Sequence, residues 1–496
     1  MMQVRHISRW LLFSLLAIPA SAQQLSGGAS SLNVPQSLDQ LLSAGNQSPF
    51  SGSVQSDKLK PGVIDLTVED AINRGLRFNL GIVLSAQASA QARASRLKEL
   101  SNILPQINGS LRESESKANL QAEGFNLSIP GLNIGKSVRF SNSDARVTMS
   151  ENLFNLHDIN NTRAATANVR AAGFTFNSAK ETVTLAVAAS YLLVIAAESQ
   201  VEATTAELKT AEALHQLAED REVAGLNPNV DTLRARVELQ VRRQNLIEAN
   251  NNLAKQRITL LRVLGLPVHQ QIKLASRVPY KPLPAVSEAD ALQRAWVARP
   301  DYLAADQQVK AAELQKRAAE AERIPTLGVS GDYGVLGTHP SNAFSTWTVN
   351  AGLKIPIFQG GKIEADIRQA DSVLQQRKAL RNDLKGRIEQ DVADAILDVT
   401  AAAEQVEVAK ATLDYAQQTL MQSQDRFSAG VTNNIEVIQA QEALATANQQ
   451  YISSLYSHNI AKVLLARATG AAEHTLRQVL GDEPGSTPQG NPAPAK

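Results

Sequence analysis

Four segments of the chain alternate apolar and polar residues with a period of two, which is the period of a β-strand. They lie at about residues 105–115, 138–154, 325–336 and 343–358, and each is near or above ten residues long. This length, with one apolar and one polar face, fits a membrane-spanning strand. A soluble two-sided sheet has the same period, so the alternation by itself leaves both interpretations open.

Two much longer segments repeat apolar residues every seven positions. The second contains the series Val399, Val406, Leu413, Leu420 and Phe427, with small residues between its members. Sustained spacing of 3.5 residues indicates a coiled-coil seam, and small residues along it allow helices to approach closely. The pattern predicts long helices at about 157–222 and 361–427, each roughly 100 Å long at ~1.5 Å per residue. Shorter return helices at about 231–264 and 434–468 complete two antiparallel hairpins.

The chain contains two halves with the same order of landmarks. Asp70 opens the sequence Asp-Ala-aliphatic-polar-Arg in the first half, and Asp290 opens it in the second. Self-similarity of this kind marks a structural repeat. We therefore assign two repeats and a connector between them, with an insertion at about 116–137 in the first repeat. The repeats are residues 61–264 and 287–470, and the connector is residues 265–286.

The N-terminus predicts a secretory signal peptide of residues 1–22. Two arginines precede an apolar run, and a small-x-small tripeptide predicts cleavage after Ala22. The alternative, an anchoring transmembrane helix, needs about 20 apolar residues, roughly twice the length of this run. Residues 23–60 and 471–496 are rich in Ser, Gly, Gln and Pro, so a flexible N-terminal segment and a disordered C-terminal tail are expected.

The chain has no cysteine. An exported chain of this composition forms no disulfides, no thiolate metal sites and no lipid anchor on a cysteine. Beyond the signal peptide, no segment is expected to reach the apolar length of a transmembrane helix. Entry into a membrane would then require a closed β-barrel, because every backbone polar group in lipid needs a partner.

Charge and motifs exclude several classes of function. The formal net charge of +1 gives no reason to expect a nucleic-acid partner. The sequence has no HExxH, P-loop or GxSxG motif, and its seven histidines lack ligand spacing. We therefore expect no catalytic site, no cofactor and no metal site.

Four strands per chain are too few to close a barrel, so a membrane-inserted form requires several copies. Two copies supply eight strands, and side chains fill the interior of a barrel of that size. Three copies supply twelve strands and leave a lumen, so a pore favours a trimer. The predicted fold class is an α+β membrane protein with long coiled-coil hairpins and a few β-strands.

Several ordered landmarks resemble the TolC-type outer-membrane efflux protein family over roughly residues 60–470. They are "ARPDY" before a helix, "IPIFQGGK" after a strand, and two turns that contain "RxxAG", together with the repeat itself. The resemblance implies a homotrimer with a twelve-stranded barrel in outer-membrane lipid and a long helical tunnel in the periplasm of a Gram-negative bacterium. It also implies a passive exit duct that works with a periplasmic adaptor and an inner-membrane pump.

The resemblance assigns roles to residues around the two turns. It implies a periplasmic constriction at Asp231, Phe427, Glu436 and Gln439. It implies adaptor-docking tips at Gly225, Leu226, Asn227, Gly430, Val431 and Thr432. Thr432 stands where the best-known member has a gating arginine, and Gln439 is uncharged where a second acid is expected. A salt-bridged lock of that kind is therefore not expected here, whereas a ring of Asp231 and Glu436 would favour cations.

Simpler roles compete with these assignments. The acids would also stabilise the first turn of each return helix, because the positive end of the helix dipole lies there. Phe427 falls on the seven-residue repeat, so a core position is as well supported as a lumen position. Phe140, Phe344 and Trp347 are candidates for aromatic anchors at the membrane interface of the barrel.

The main prediction is a passive export channel, and a periplasmic coiled-coil tether without a pore is the alternative. A tether would retain the seven-residue repeat but would not need amphipathic strands at matching places in each half. The sequence does not identify the exported substrate, because the pump selects it.

Overall fold

The computed structural model describes residues 49–54, 62–119, 122, 124, 137–226, 228–275, 280–284 and 286–470. The described helices are α1 (Val68–Phe78), α2 (Leu80–Ser101), α3 (Leu156–Val223), α4 (Asn229–Leu264), α5 (Glu288–Ala298), α6 (Pro300–Ala321), α7 (Lys362–Ser428) and α8 (Asn434–Ala468). The described strands are β1 (Ile64–Leu66), β2 (Gln106–Asn119), β3 (Ser137–Phe154), β4 (Ile272–Leu274), β5 (Thr326–Gly337) and β6 (Ala343–Lys354). The predicted signal peptide with its cleavage site at Ala22, the predicted C-terminal tail, and Asn227 lie outside the described residues.

The seven-residue repeat forms the buried side of the long helices. Along α7, Ala402, Val406, Ala409, Leu420 and Phe427 are buried, and the intervening members of the series are half-buried. α7 packs against α8, while α3 packs against α4, α6 and α8. The helices of the two hairpins therefore lie side by side in the order α4, α3, α8, α7.

The largest hydrophobic core surrounds the middle of α3. Val183, Leu185, Val187 and Tyr191 of α3 are among its fully buried members. An 18-residue window of α3 has a mean hydropathy of 1.6 and is 78% buried within the chain. We expected no segment beyond the signal peptide to be apolar enough for a membrane span. This expectation was wrong, because α3 is long and apolar enough by length and composition. The helix is apolar because other helices surround it.

Within the described residues, β2, β3, β5 and β6 form an antiparallel sheet in that order. Cross-strand partners lie on the same face of a sheet, so the register shows which side chains lie on each of the two faces. One rung joins Ile107, Met149, Gly331 and Val349, and the neighbouring rung joins Gly109, Val147, Tyr333 and Trp347. Odd-numbered residues of this part of the sheet form an apolar face, and even-numbered residues such as Arg146 and Asp332 form a polar face.

The register separates the three aromatic residues that we expected at the membrane interface. Trp347 lies on the apolar face, opposite Tyr333. Phe344 is paired with Leu336, and Phe140 is paired with Ser116, so both phenylalanines lie on the face that carries Arg146. A shared role as lipid-facing anchors does not fit this placement, because successive side chains of a strand point to opposite faces.

The connector contains a short strand that the sequence pattern did not predict. β4 pairs in parallel with β1, from Ile64 opposite Ile272 to Leu66 opposite Leu274. Tyr191 of α3 donates a hydrogen bond to the carbonyl of Leu66 at 2.9 Å. The connector is thereby attached to the core around α3. Three residues are too short for a recognisable alternation.

Candidate functional site at the two helical tips

The first tip (residues 220–226 and 228–231) and the second tip (residues 425–436) begin with the same backbone turn. The amide of Gly225 donates to the carbonyl of Glu222, and the amide of Leu226 donates to that of Arg221. Gly430 and Val431 make the equivalent bonds to Phe427 and Arg426. This pair of bonds requires a left-handed residue after the helix, and Gly225 (φ +68°) and Gly430 (φ +74°) supply it.

Arg221 connects the first tip to the second. Its guanidinium donates hydrogen bonds to the carbonyl oxygens of Phe427 and, at 3.4 Å, of Ser428. It also lies over the ring of Phe427, 5.0 Å from the ring centroid. These two carbonyls lie at the C-terminal end of α7, where backbone oxygens have no partner in the helix and a cation is stabilised by the helix dipole. We call this set of contacts the Arg221 clasp.

A second contact runs in the opposite direction. Asn434, at the start of α8, is fully buried and donates from Nδ2 to the carbonyl oxygen of Asp231 at 2.7 Å. Asp231 is 7% exposed, and its carboxylate lies 3.2 Å from Nη1 of Arg234. In a single chain Asp231 is therefore a buried, paired acid at the junction between the hairpins, and its carboxylate is not exposed as we expected of a lumen-facing group.

Phe427 belongs to the core of the tips. Its side chain is 2% exposed and packs in a cluster with residues of both hairpins. The other buried members of the cluster are Leu214, Ala218, Ala235, Leu420, Val437 and Ala440. The ring therefore holds the two hairpins together and does not line an opening in this conformation.

Glu436 is the predicted constriction acid of the second tip, and its carboxylate has three polar contacts within its own hairpin. It accepts a hydrogen bond from Thr432 and a weaker one from Ser423, with the oxygens 3.4 Å apart. Arg426 forms an ion pair with it, with the nearest atoms 3.7 Å apart. Thr432, which the resemblance aligns with an arginine of the family's best-known member, is thus a hydrogen-bond donor to this acid. Gln439 is exposed one turn further along α8.

In the first tip, a polar residue, Glu222, occupies the position that corresponds to Phe427 of the second tip. Glu222 accepts a hydrogen bond from Asn229 at 2.7 Å. Hydrogen bonds from Thr232 and Asn229 hold the pKa of the Glu222 carboxyl below its ordinary value. Arg426, the counterpart of Arg221, therefore has no aromatic ring at this position to stack on, and it pairs within its own hairpin.

Both turns present apolar side chains to solvent. Leu226 is 69% exposed and Val431 is 70% exposed. They follow Gly225 and Gly430 at equivalent places in the two turns. Apolar side chains exposed at equivalent places in the two turns are candidates for contact with a protein partner.

Sequence reasoning did not identify Arg221 or Asn434 as functional residues. The repeated pattern Asp-Arg-x-x-Ala-Gly marked both arginines, but it did not show that one of them crosses between hairpins. Across the part of the chain that the structure describes, no group of three or more His, Cys, Asp or Glu side chains is placed to hold a metal ion.

The sequence profile of the family described as outer membrane efflux protein matches residues 80–266 and 291–471. The chain belongs to this family. The two matched segments coincide closely with the two halves of the chain. Members of the family are outer-membrane export channels, so the chain is a channel and not a pore-less tether, and its family is not one of enzymes.

Relatives and solved structures agree with this family. The chain is 27% identical over 297 residues to the probable outer membrane lipoprotein SilC of Salmonella typhimurium, a match that covers 57% of this chain and 62% of SilC. It is 24% identical over 428 residues to the pyoverdine export outer membrane protein OpmQ of Pseudomonas aeruginosa, covering 83% of this chain and 87% of OpmQ. The CmeC outer membrane channel of Campylobacter jejuni superposes with a TM-score of 0.72 at 16% identity, covering 89% of this chain and 94% of CmeC.

Proposed function

We propose that three copies of this chain form the outer-membrane exit duct of a tripartite export system. The observation that carries the proposal is the sheet, which has one apolar face, one polar face and free edges at β2 and β6. An open edge is not tolerated in lipid, because its backbone N–H and C=O groups would lack partners. Pairing of β6 with β2 of the next copy removes both edges and puts the polar face inside.

The outer helices of the two hairpins support a ring of copies. α4 and α7 lie at opposite ends of the row of helices, and both carry apolar side chains exposed at helical spacing. On α4 these are Val230, Leu233, Val237 and Val241, and on α7 they are Leu397, Val408 and Tyr415. Because the two surfaces belong to different helices, contact between copies would be head-to-tail, and such contacts form a ring when the rotation between successive copies closes.

The tips are where we propose that the periplasmic adaptor docks. Leu226 and Val431 expose apolar surface at equivalent places, so a ring of three copies presents it six times around the tunnel end. The adaptor would connect this end to an inner-membrane pump. The exported substrate follows from the pump, and the relative OpmQ carries pyoverdine export in its name.

We further propose that the Arg221 clasp keeps the tips closed at rest and that Glu436 gives the opening its preference for cations. Arg221 reaches across the two hairpins of one chain, so its release lets them separate. Glu436 retains a partly exposed carboxylate, unlike Asp231. A carboxylate repeated three times around a narrow opening attracts cations and repels anions.

The route to the membrane is also proposed. Residues 1–22 would direct export and be removed after Ala22, leaving Gln23 as the first residue. Unlike a lipoprotein, the protein would carry no lipid on a cysteine, since its 496 residues include none. The intact mass of the protein purified from outer membranes tests both statements, and an unremoved leader or an added acyl mass would contradict them.

The channel is tested by its mass and its conductance. The purified full-length protein should sediment as a trimer and should conduct ions in a planar lipid bilayer, weakly as wild type and strongly as Arg221→Ala. A monomer, or a trimer that conducts in neither form, would contradict the duct. Co-purification of an adaptor and pump with the tagged protein tests the partners, and loss of that complex in a Leu226→Asp/Val431→Asp variant would locate the contact at the tips.

A further inference from the structure

The outer helices of the two hairpins carry opposite charges. On α4 (Asn229–Leu264), six basic side chains and one acidic side chain are exposed or half-buried. Over residues 393–428 of α7, a segment of the same length that ends at the tip, six acidic and two basic side chains are exposed. The two helices lie at opposite ends of the row of four, so these charges do not face each other within one chain.

The charges distinguish two ways of joining copies. A two-fold contact repeats one surface, so it would place α4 against α4 or α7 against α7 and bring like charges together. A head-to-tail contact places α4 of one copy against α7 of the next and brings opposite charges together. Like-charge juxtaposition opposes association, whereas complementary charge fixes the partner and the register. The surface charge therefore favours the contact that a ring requires.

Contacts at the tips fix the relative heights of the outer helices. Asn434, at the start of α8, binds the carbonyl oxygen of Asp231 at 2.7 Å, so these two residues lie at one level. Two residues further along α8, the carboxylate of Glu436 accepts a hydrogen bond from Ser423 of α7 at 3.4 Å. Because α7 and α8 are antiparallel, Asp425 of α7 lies at the level of Asn434. Asp231 and Asp425 therefore mark one level, which in a ring is the same in every copy.

Exposed apolar residues of α4 and α7 match in height above this level. Both helices rise by ~1.5 Å per residue. Val241 of α4 and Tyr415 of α7 each lie ten residues above the level. Ile258 of α4 and Leu397 of α7 lie 27 and 28 residues above it. All four side chains are exposed in the single chain. Two apolar pairs thus come into register when α4 and α7 of different copies lie side by side.

A pair of opposite charges matches in the same register. Arg262 of α4 and Asp394 of α7 are exposed, and each lies 31 residues above the level. Arg262 is 21 residues beyond Val241, and Asp394 is 21 residues from Tyr415. Three seven-residue repeats return a coiled-coil helix to the same face. On each helix the charged residue therefore lies in line with the apolar one.

A second pair of opposite charges lies beside the first apolar pair. Arg243 of α4 and Asp414 of α7 are exposed and lie 12 and 11 residues above the level. Within its own chain Arg243 pairs with Glu212 at 3.7 Å, and both side chains are about half exposed. An exposed ion pair of this kind contributes little to stability, so Arg243 is available to a second acid.

We propose that α4 of each copy packs antiparallel against α7 of the next copy, in the register that puts Val241 opposite Tyr415. In this register Arg262 of one copy forms an ion pair with Asp394 of the next. The inference rests on the proposed trimer. It adds the register of the contact between copies and the opposite charges that select it.

The absence of cysteine makes this register testable in the full-length protein. A Val241→Cys/Tyr415→Cys double variant should form disulfides between copies under mild oxidation, and denaturing gels without reductant should show linked trimers. A disulfide needs Cβ atoms about 3.5–4.5 Å apart, and the two positions lie on opposite outer helices of one chain. Val241→Cys/Val408→Cys is the matched control. Val408 lies one seven-residue repeat, ~10.5 Å, further from the tip than Tyr415, so this variant should not form linked trimers.

The charges are tested with a second cysteine pair, Ile258→Cys/Leu397→Cys, which lies next to Arg262 and Asp394. In this background Asp394→Arg should lower the yield of the disulfide at low salt, because it places two cations opposite each other. Exchange of both charges, Arg262→Asp/Asp394→Arg, should restore the yield. High salt should reduce the difference between the variants, because it screens exposed charges. A yield that the exchange does not restore would overturn the pairing of these charges.

The same samples separate failure of this inference from failure of the proposed function. Sedimentation reports whether trimers are present, and monomers would overturn both. Trimers without the disulfide between residues 241 and 415, or trimers in which the Val408→Cys control links as readily, would overturn the register alone. Dimers linked through Tyr415→Cys by itself would show a two-fold contact and would also overturn it. So would cysteines that are protected from a maleimide but unlinked, because another protein would then cover these faces.

Discussion

The two tips have matching turns and different partners. Both begin with the same pair of backbone hydrogen bonds around a glycine with positive φ. In the first tip Arg221 leaves its own hairpin and binds carbonyls of the other. In the second tip Arg426, its counterpart, stays within its hairpin and pairs with Glu436. A duplicated sequence has thus produced one backbone and two arrangements of charge.

A single position accounts for much of this difference. Phe427 gives Arg221 an aromatic surface, and the guanidinium stacks on it while it binds the carbonyl oxygens at the end of α7. Glu222 occupies the equivalent place in the first tip and is engaged by Asn229. A planar guanidinium combines stacking with several hydrogen bonds, which makes it suited to such a site. The asymmetry predicts unequal effects from equivalent substitutions.

Replacement of Phe427 by alanine should have the largest effect on stability. The ring is fully buried, so its loss leaves a cavity and should cost about 3–5 kcal/mol per chain. Glu222→Ala, at the equivalent position, should cost much less because it removes a polar side chain at the surface of the turn. Thermal unfolding followed by circular dichroism measures both, and equal losses would show that the two tips are alike after all.

Removal of Arg221 should open the channel more than removal of Arg426. Hydrogen bonds to a charged group contribute about 1.5–3 kcal/mol, and ~1.4 kcal/mol is a tenfold change in an equilibrium. Arg221→Ala should therefore raise the resting open probability by roughly tenfold or more on these figures. Arg426→Ala breaks an exposed ion pair of at most about 1 kcal/mol, so it should change the open probability little. A planar-bilayer recording that ranked the two variants in the opposite order would contradict the clasp.

Substitution of Gly225 or Gly430 by alanine should separate the effect of backbone strain from the effect of a contact with Arg221. Each substitution places a Cβ at positive φ, which costs about 1 kcal/mol. At Gly225 the new Cβ meets open space, whereas at Gly430 it lies 3.2 Å from Nη2 of Arg221. We expect similar melting temperatures for the two variants and a higher resting conductance for Gly430→Ala alone. Equal conductances would indicate that Arg221 can move aside without loss of closure.

The smallest expected effect concerns ion preference. Glu436→Ala should shift the reversal potential in a salt gradient towards less cation preference while resting closure stays nearly unchanged. Asp231→Asn should leave the preference unaltered, because this carboxylate is buried and paired with Arg234. Gln439→Ala is the neutral control on the same exposed stretch of helix. A large rise in resting leak in Glu436→Ala would assign closure to this acid instead of to Arg221.

Local patterns predicted the elements of this protein better than the roles of its polar residues. The seven-residue repeat predicted α7 at 361–427, and the structure has it at Lys362–Ser428. Strand β6 ends at Lys354, although alternation continued to 358, because Pro356 cannot donate to a ladder. Period and punctuation are properties of neighbouring residues, so a single sequence contains them.

Contacts between the two hairpins could not be predicted from the local sequence, and the reason is physical. Arg221 and Phe427 are separated by 206 positions, and nothing near either residue specifies the other. Asp231 is buried where Asn434 binds its carbonyl oxygen, although we expected it to be exposed. Strand register places Phe140 and Phe344 on the face opposite Trp347, a separation that the local sequence did not show. A register shift of one residue would have reversed that placement, because side chains alternate between faces.

By itself, the sequence determined the repeat, the long amphipathic helices, the alternating strands and the glycine turns, since each depends on steric and hydrophobic preferences that act over a few residues. The tertiary structure decided which arginine crosses between the hairpins, which acids stay exposed and which aromatic residues share a face of the sheet. These depend on distances between residues far apart in the chain, which exist only after the helices and strands have packed together.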